Sequence, residues 1–504
     1  MRKEMKKTAA IALTIAMSVC SLSSCALESF LNKEQEIPVA LPNYDNNLQF
    51  EYSAYAMASD GTWTVNGESY FYGEDFRSKE RYAEMLDCGF TILRMSDALV
   101  YRGETWETSD AKKFMEEAYE AGFKKILVYD SRLAGSCWTK AYGEADSEYE
   151  SEEAFDEWVK DCLAPYINMP GFYGLTLLDE PSYQQTEAYG QVYRSIRKVA
   201  KNVYGMDDIY LHINYLPIGA VSTMYSDDYK DHREMYQDYL FGYMDSTGCD
   251  RISVDTYAFR TYSFYPGFYS SIQVLANEVR DRGIELSYCL QSHESGGFRR
   301  VDKSDMRLEM NSLVGFGASH FYYYTYFPHG VDGGSFVTRT GDKTNIWYAG
   351  KELMADMQKF APVVLNYKYK GAKMYTRTPS NFPLNAYLSS HVEAATGTTL
   401  DWDNSYEFAK LKNIEQDNDV VLSTELYDEK NDLYMYMVQN VIDPVNSRKG
   451  NTTMTVSVEF EEGYDYVAEF DCGELRYVPL KDGVYETTLS AGYAVYLIPL
   501  SSTK

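Results

Sequence analysis

Hydrophobic positions in the first two thirds of the chain come in short unbroken runs separated by longer amphipathic stretches. Runs of this kind read as strands buried on both faces, the mark of a parallel sheet. Eight of them are legible: Glu51–Ala58, Phe90–Asp97, Lys125–Ser131, Phe172–Glu180, Ile209–Leu216, Arg251–Tyr257, Ile284–Ser292 and Ser319–Phe327. Between them, Asp110–Ala121, Glu152–Leu163 and Gln191–Tyr204 carry apolar residues at helical spacing, the first stopped by Gly122. Strand–helix alternation implies right-handed crossovers and a parallel sheet. Eight such units predict a (β/α)8 TIM barrel over 49–363, closed by a helix Asn345–Phe360 that ends at Pro362. A doubly wound sheet is the alternative, but no Gly-x-Gly-x-x-Gly follows the first strand. From about Tyr367 the period changes to two, in Leu433–Val438, Thr453–Phe460, Tyr466–Phe470 and Ala494–Leu500, with a hairpin turn at Asp428–Asp432. This predicts a C-terminal antiparallel β-sandwich over 364–504.

The start of the chain follows neither pattern. Arg2, Lys3, Lys6 and Lys7 precede an apolar run, Thr8–Val19, that is too short to span a bilayer as a mature helix. That is an export signal over 1–24. Leu22-Ser23-Ser24-Cys25 resembles the lipobox of bacterial lipoproteins, which implies lipidation of Cys25 and a tether over 25–48. Cys20 follows the bulky Val19 and suits that role less well; a plain signal peptide is the alternative. The expected location is therefore outside the cytoplasm, on the membrane through a lipid anchor. The remaining cysteines (88, 137, 162, 249, 289 and 472) show no Cys-x-x-Cys spacing or Cys/His cluster, and several lie in apolar runs as buried thiols do. A net charge of −28 argues against nucleic acid as a partner. Forty-eight tyrosines and an aromatic fraction of 15% offer flat apolar faces with polar edges, as sugar sites do, though Tyr-rich strands do the same.

In a barrel of this type the carboxyl ends of the strands share one face, so the acids there can be enumerated. The strands lead in turn to Asp60, Asp97, Asp130, the pair Asp179-Glu180, Asn214, Asp255 with Tyr257, and Gln291 followed by His293 and Glu294. Any one of them can be a helix cap; their accumulation points to carboxylate chemistry. Glycosidic cleavage uses one carboxyl as proton donor and a second as nucleophile or base, about 5–5.5 Å apart in retaining enzymes and about 6.5–9.5 Å in inverting ones. Glu180, after an apolar strand and beside Asp179, suits a donor of raised pKa.

At Asp179-Glu180-Pro181 the chain resembles the large clan of barrel glycoside hydrolases whose fourth strand ends in Asn-Glu-Pro. The resemblance covers about 50–360 and implies Glu180 as acid/base, with Asp179 where the clan has a substrate-binding Asn. The clan's nucleophile is a Glu closing the seventh strand, and here Gln291 closes it. Glu294, three residues on in a loop made pliable by Gly296-Gly297, is the first choice for the second carboxylate, Asp255 is the rival, and neither is the third alternative, so retention and inversion both stay open. Expected substrate contacts are Asp179, Asn214, Tyr257, Gln291, Asp97 and Trp138, with Trp63 and Trp106 as further stacking candidates. His293 can tune Glu294, and half of Tyr322–Tyr324 and His320 should face the lumen. Asp228, Asp231 and His232 have metal-like spacing in a polar loop. No Ser-His-Asp elbow is present, and no metal or organic cofactor is implied. The expected activity is hydrolysis of an oligo- or polysaccharide. A carbohydrate-binding lipoprotein on a barrel that has lost catalysis is the alternative, favoured by Gln291, and a scaffold or adhesion protein is a third class. Sugar, linkage and oligomeric state are not encoded in any motif.

Overall fold

The eight buried runs become eight parallel strands in a computed structural model that describes residues 40–502 apart from 66–67, 72–74, 96–104, 145–146, 218–231, 262–263, 266, 329–334, 377–390, 393–398, 401, 419 and 445–451. They are β1 (Glu51–Ala54), β2 (Leu93–Arg94), β3 (Ile126–Val128), β4 (Phe172–Asp179), β5 (Tyr210–Tyr215), β6 (Arg251–Asp255), β7 (Glu285–Gln291) and β8 (Ala318–Tyr324). β1 pairs with β8, and β8 through β2 follow in unbroken order. The ring closes between β1 and β2, where Thr91 and Ile92 N–H both donate to Tyr52 O at 3.0 Å and Tyr52 N–H donates to Thr91 Oγ1 at 2.9 Å. The molecule is a (β/α)8 barrel. Each strand is followed by a helix: α1 (Lys79–Cys88), α2 (Asp110–Ala121), α3 (Glu152–Leu163), α4 (Thr186–Tyr204), α5 (His232–Thr247), α6 (Phe268–Arg282), α7 (Lys303–Gly315) and α8 (Asn345–Val364).

Local chemistry sets these helix ends. Ser78, Ser109 and Ser151 cap α1, α2 and α3 by accepting from a backbone N–H of the first turn, and Gly122 stops α2 at φ 124°. Pro362 lies inside α8, which continues to Val364, so it does not end the helix as expected from sequence. Proline breaks a helix by losing its N–H bond and crowding the preceding turn. Here the last turn tolerates it, and Asn366 Nδ2 donates to the Pro362 carbonyl at 2.8 Å.

The C-terminal part forms a six-stranded antiparallel sheet and a three-stranded one (Leu411–Gln416, Met454–Phe460, Val484–Leu489), packed around Val421, Tyr436, Val438, Val456, Val458 and Leu497. The Asp428–Asp432 turn joins two neighbouring strands, with Asp428 accepting from Lys430 and Asn431 N–H. Residues 42–500 form one compact unit. Buried polar groups bind barrel to sandwich: Ser312 Oγ donates to Gln439 Oε1 at 2.8 Å, and Arg299 pairs with Asp443 at 2.6 Å. The thiols of Cys88, Cys137, Cys162, Cys249 and Cys289 are buried and free; Cys472 is free and exposed. Among the described residues no helix is long and apolar enough to cross a membrane. Cys25 and the rest of 1–39 lie outside the described residues.

Candidate active site

Barrels of this kind usually fill their lumen with branched aliphatic side chains. This one is polar in three layers. At the amino-terminal end, Glu51 bonds His320 Nε2 at 3.0 Å, Lys125 and the Tyr173 hydroxyl at 3.1 Å. Burial pushes the Glu51 carboxyl up, but the bonds and charges of His320 and Lys125 outweigh it and hold it at about 2. A cavity of about 470 Å³ lined by Phe50, Glu285 and His320 opens at this end, away from the strand-end acids. In the middle, Arg94 stacks 3.6 Å over the Tyr55 ring and approaches His212 Nε2 at 3.5 Å; Tyr210 bonds the other nitrogen of that imidazole at 3.0 Å.

The third layer lies at the carboxyl ends. A register shift between Thr176 and Leu178 sets Asp179 opposite Asn214. Without that bulge, alternation from Thr176 would turn Leu178 to the lumen; the extra residue turns Asp179 inward instead. Asp179 Oδ1 accepts from the Tyr55 hydroxyl at 2.5 Å and from Asn214 Nδ2 at 3.1 Å, and Tyr322 donates to Asn214 Oδ1. Gly174, two levels below and opposite Tyr210, permits the close approach of β4 and β5: a Cβ there would stand 1.8 Å from Tyr210 O.

Glu180 follows in a left-handed conformation, φ 49°. For a non-glycine residue this costs about 1–2 kcal/mol. Its surroundings impose it. Glu180 N–H donates to Asn214 O at 2.8 Å, and the next two carbonyls, of Pro181 and Ser182, accept from the Tyr239 and Tyr243 hydroxyls at 2.8 and 2.7 Å. Both acids are open to solvent at the mouth. Desolvation by the surrounding walls, then the charge of Asp179, raises the Glu180 pKa.

Asp255 closes β6 with 6% exposure, and its Oδ1 has no hydrogen-bond partner. Burial first, then the charges of Glu180 and Asp179, push its carboxyl up to about 8, against hydrogen bonds from Tyr257 and Asn214. Asp179, Glu180 and Asp255 therefore lie close enough to share their electrostatics at the carboxyl ends of the strands. Sequence reasoning ranked Asp255 below Glu294. Glu294 is instead exposed on the loop past β7, where the Ser295–Phe298 turn holds the chain.

Gln291 also departs from expectation. It is fully buried, its Nε2 donates to the Phe259 and Arg299 carbonyls at 3.1 Å each, and its Oε1 accepts from Phe259 N–H at 3.0 Å. Fully buried, with both N–H donors and its carbonyl oxygen engaged by backbone groups, Gln291 clamps loops. Tyr257 does reach the mouth, its ring 4.8 Å from His293, 5.4 Å from Phe298 and 6.0 Å from Tyr324. His293 is buried in that cluster, with Nδ1 at 3.0 Å from Tyr324 O. Tyr322 and Tyr324 face the lumen side, whereas Tyr323 packs outward on Phe90 and Phe336. His320 belongs to the opposite end.

Other strand-end acids have structural roles. Asp130 is buried under a two-pronged Arg132 contact and the Tyr166 hydroxyl, and Asp60 holds Thr62 in a turn. Trp106 packs on Tyr166. Trp138 lies in the short helix Gly135–Lys140 and Trp63 in the hairpin strand Thr62–Val65, with their side chains outside what is described. Asp97, Asp228 and Asp231 lie outside the described residues, and among those described no group of three His, Cys, Asp or Glu side chains could hold a metal ion. Sequence reasoning missed Tyr55 and Arg94. Tyr55 follows the end of β1 and Arg94 is a charge inside an apolar run, the one signal that could have marked it.

No protein-family profile and no curated protein matches the chain. Similar solved structures include an α-amylase from Geobacillus thermoleovorans in complex with acarbose (13% identity, 92% of this chain and 100% of that one, TM-score 0.46). A GH30 endoxylanase from Clostridium papyrosolvens C71 is another (11%, 91% and 97%, 0.41), as is xylanase 10B from Thermotoga maritima (12%, 62% and 97%, 0.37). These neighbours are glycoside hydrolases, but at such identities and scores the likeness carries no argument about activity, and the barrel stands on its own strand order.

Proposed function

We propose that the protein is a glycoside hydrolase in which Glu180 is the general acid/base and Asp255 the second carboxylate. The observation that carries this is the buried Asp255 carboxyl, whose Oδ1 has no hydrogen-bond partner and which feels the charges of Glu180 and Asp179. Carboxyl groups so placed titrate as one system, and the proton that burial favours on Asp255 belongs to the group as a whole. As positive charge grows on the sugar, it favours an ionised Asp255 with the proton on Glu180, the member open to the leaving oxygen. Asp179, fixed by Tyr55 and Asn214, is positioned to bind a sugar hydroxyl.

The test is an aryl-glycoside and oligosaccharide panel on the full chain, with the product anomer read by NMR to separate retention from inversion. Glu180→Gln should lower kcat by about 10²–10⁴ while binding survives; retention of most activity sinks the assignment. A non-catalytic carbohydrate-binding role is the second reading, favoured because β7 ends in an amide already committed to the backbone. It predicts saturable glycan binding with no turnover of any substrate in the panel. The basic start, the short apolar run and Leu22–Cys25 support export and lipidation. Metabolic labelling with radioactive palmitate should mark the wild type and not Cys25→Ser, and equal labelling of both sinks the anchor.

A further inference from the structure

The Gln291 clamp has a product at the mouth. By fixing both backbone groups of Phe259 and the Arg299 carbonyl, it docks the loop after β6 against the loop after β7. A two-residue ladder continues the docking, with Arg260 bridged to Phe298 and Thr261 N–H donating to Gly297 O at 2.7 Å. The side chain so presented is Arg260. Its guanidinium lies 4.3 Å from the centre of the Phe298 ring and 5.2 Å from that of Tyr265, and Phe298 in turn packs 5.4 Å from Tyr257, two residues past Asp255. Arg260 is half-buried, and among the described residues no carboxylate pairs with it; burial, the leading influence on its pKa, lowers it. Its neighbour Arg299 is by contrast consumed by Asp305 at 2.7 Å and Asp443 at 2.6 Å. A stacked, partly desolvated guanidinium with a free fork matches a carboxylate or a sulfate.

We propose that Arg260 forms an anion-binding subsite beside the carboxyl cluster, and that the glycan bound there carries an acidic sugar, a uronate or a sulfate ester. The inference rests on the glycosidase reading of the mouth. Three carboxyl groups and a net charge of −28 repel an acidic glycan, so a local cation is needed to admit one. The fork positions the acidic group on the Tyr257–Phe298 side while the neighbouring bond meets Glu180.

The test is calorimetric binding to full-length Glu180→Gln of three probes: oligogalacturonate, a sulfated galactan oligosaccharide and its unsulfated counterpart. At least one acidic probe should bind more tightly than the neutral one, which also separates uronate from sulfate. Adding Arg260→Gln should reduce the ratio of acidic to neutral affinity about ten-fold or more, and Arg260→Lys should recover part of it. No preference for either acidic probe, or an unchanged ratio at unchanged Tm, overturns the proposal. Should Arg260→Gln fail to fold, salt dependence at intact Arg260 decides. Raising NaCl from about 50 to about 200 mM should weaken acidic binding, whereas strengthening would show that repulsion by the chain dominates and overturn the subsite. Failure of the ratio test leaves the glycosidase reading standing, and that reading fails separately if Glu180→Gln keeps turning over.

Discussion

Asp255→Asn should make the protein more stable at neutral pH while abolishing its activity. The folded carboxyl has a pKa near 8, against an ordinary value of 3.8. A raised folded pKa means the native state holds a proton that the unfolded state has released, so stability falls as pH climbs from about 4 to about 8 and is flat outside that window. At pH 7 the span above 3.8 is about three pH units, each worth about 1.36 kcal/mol, a burden of about 4 kcal/mol. Asparagine removes it, less about 1–2 kcal/mol for an amide whose buried N–H2 finds no acceptor. The net expectation is a gain of about 2–3 kcal/mol at pH 7, shrinking toward zero or reversing at pH 4. Urea unfolding of wild type and variant from pH 4 to 8 measures it. A gain independent of pH, or a variant less stable at pH 7, would refute the claim that Asp255 is a buried acid kept at the expense of stability.

The same electrostatics predict that kcat/KM falls on the alkaline side with an apparent pKa near 8, and that Asp179→Asn, which deletes one of the charges raising Asp255, moves this limb down; an unmoved limb argues against a shared field. Gln291→Glu should not restore a nucleophile. It replaces one nitrogen carrying two N–H donors by an oxygen facing the Phe259 and Arg299 carbonyls, which should cost about 2–5 kcal/mol in denaturant unfolding, and a rise in kcat at wild-type stability would contradict that. Gly174→Ala should cost about 3 kcal/mol, because its Cβ meets the Tyr210 carbonyl and no side chain can swing away; Tm within a degree or two of wild type would contradict the close packing of β4 on β5.

The barrel was legible because burial on both faces writes itself as uninterrupted apolar runs, and all eight runs became strands. The short edges were not: the second run reads as eight residues, yet only Leu93–Arg94 pair regularly. Glu180 and Asp255 were legible as acids ending strands. Their ranking was not, because it depends on which loop residue turns inward, and that is decided by tertiary contacts. Glu294 sits exposed beside the Ser295–Phe298 turn, and Gln291 is held by the loop carbonyls it clamps. Neither contact has a local sequence signal. Asp179 points inward through a bulge at Leu177, which periodicity alone cannot place.

The polar lumen gives these placements a common cause. Arg94 is the buried cation beneath the mouth, and it supports Tyr55, whose hydroxyl holds Asp179. Against that one cation stand three carboxyl groups, and burial with the charges of Glu180 and Asp179 pushes the pKa of Asp255 up. A neutral aliphatic lumen would leave each acid to find its own partner on the surface. Here the acids are short of positive charge by construction, and under the proposed function a substrate that becomes cationic at one carbon supplies it. The Gln291 clamp sets the Arg260 guanidinium outward against Phe298. An arginine among the carboxyls would neutralise the deficit that the proposed chemistry uses; set two ring contacts away, Arg260 can hold an anion without quenching it.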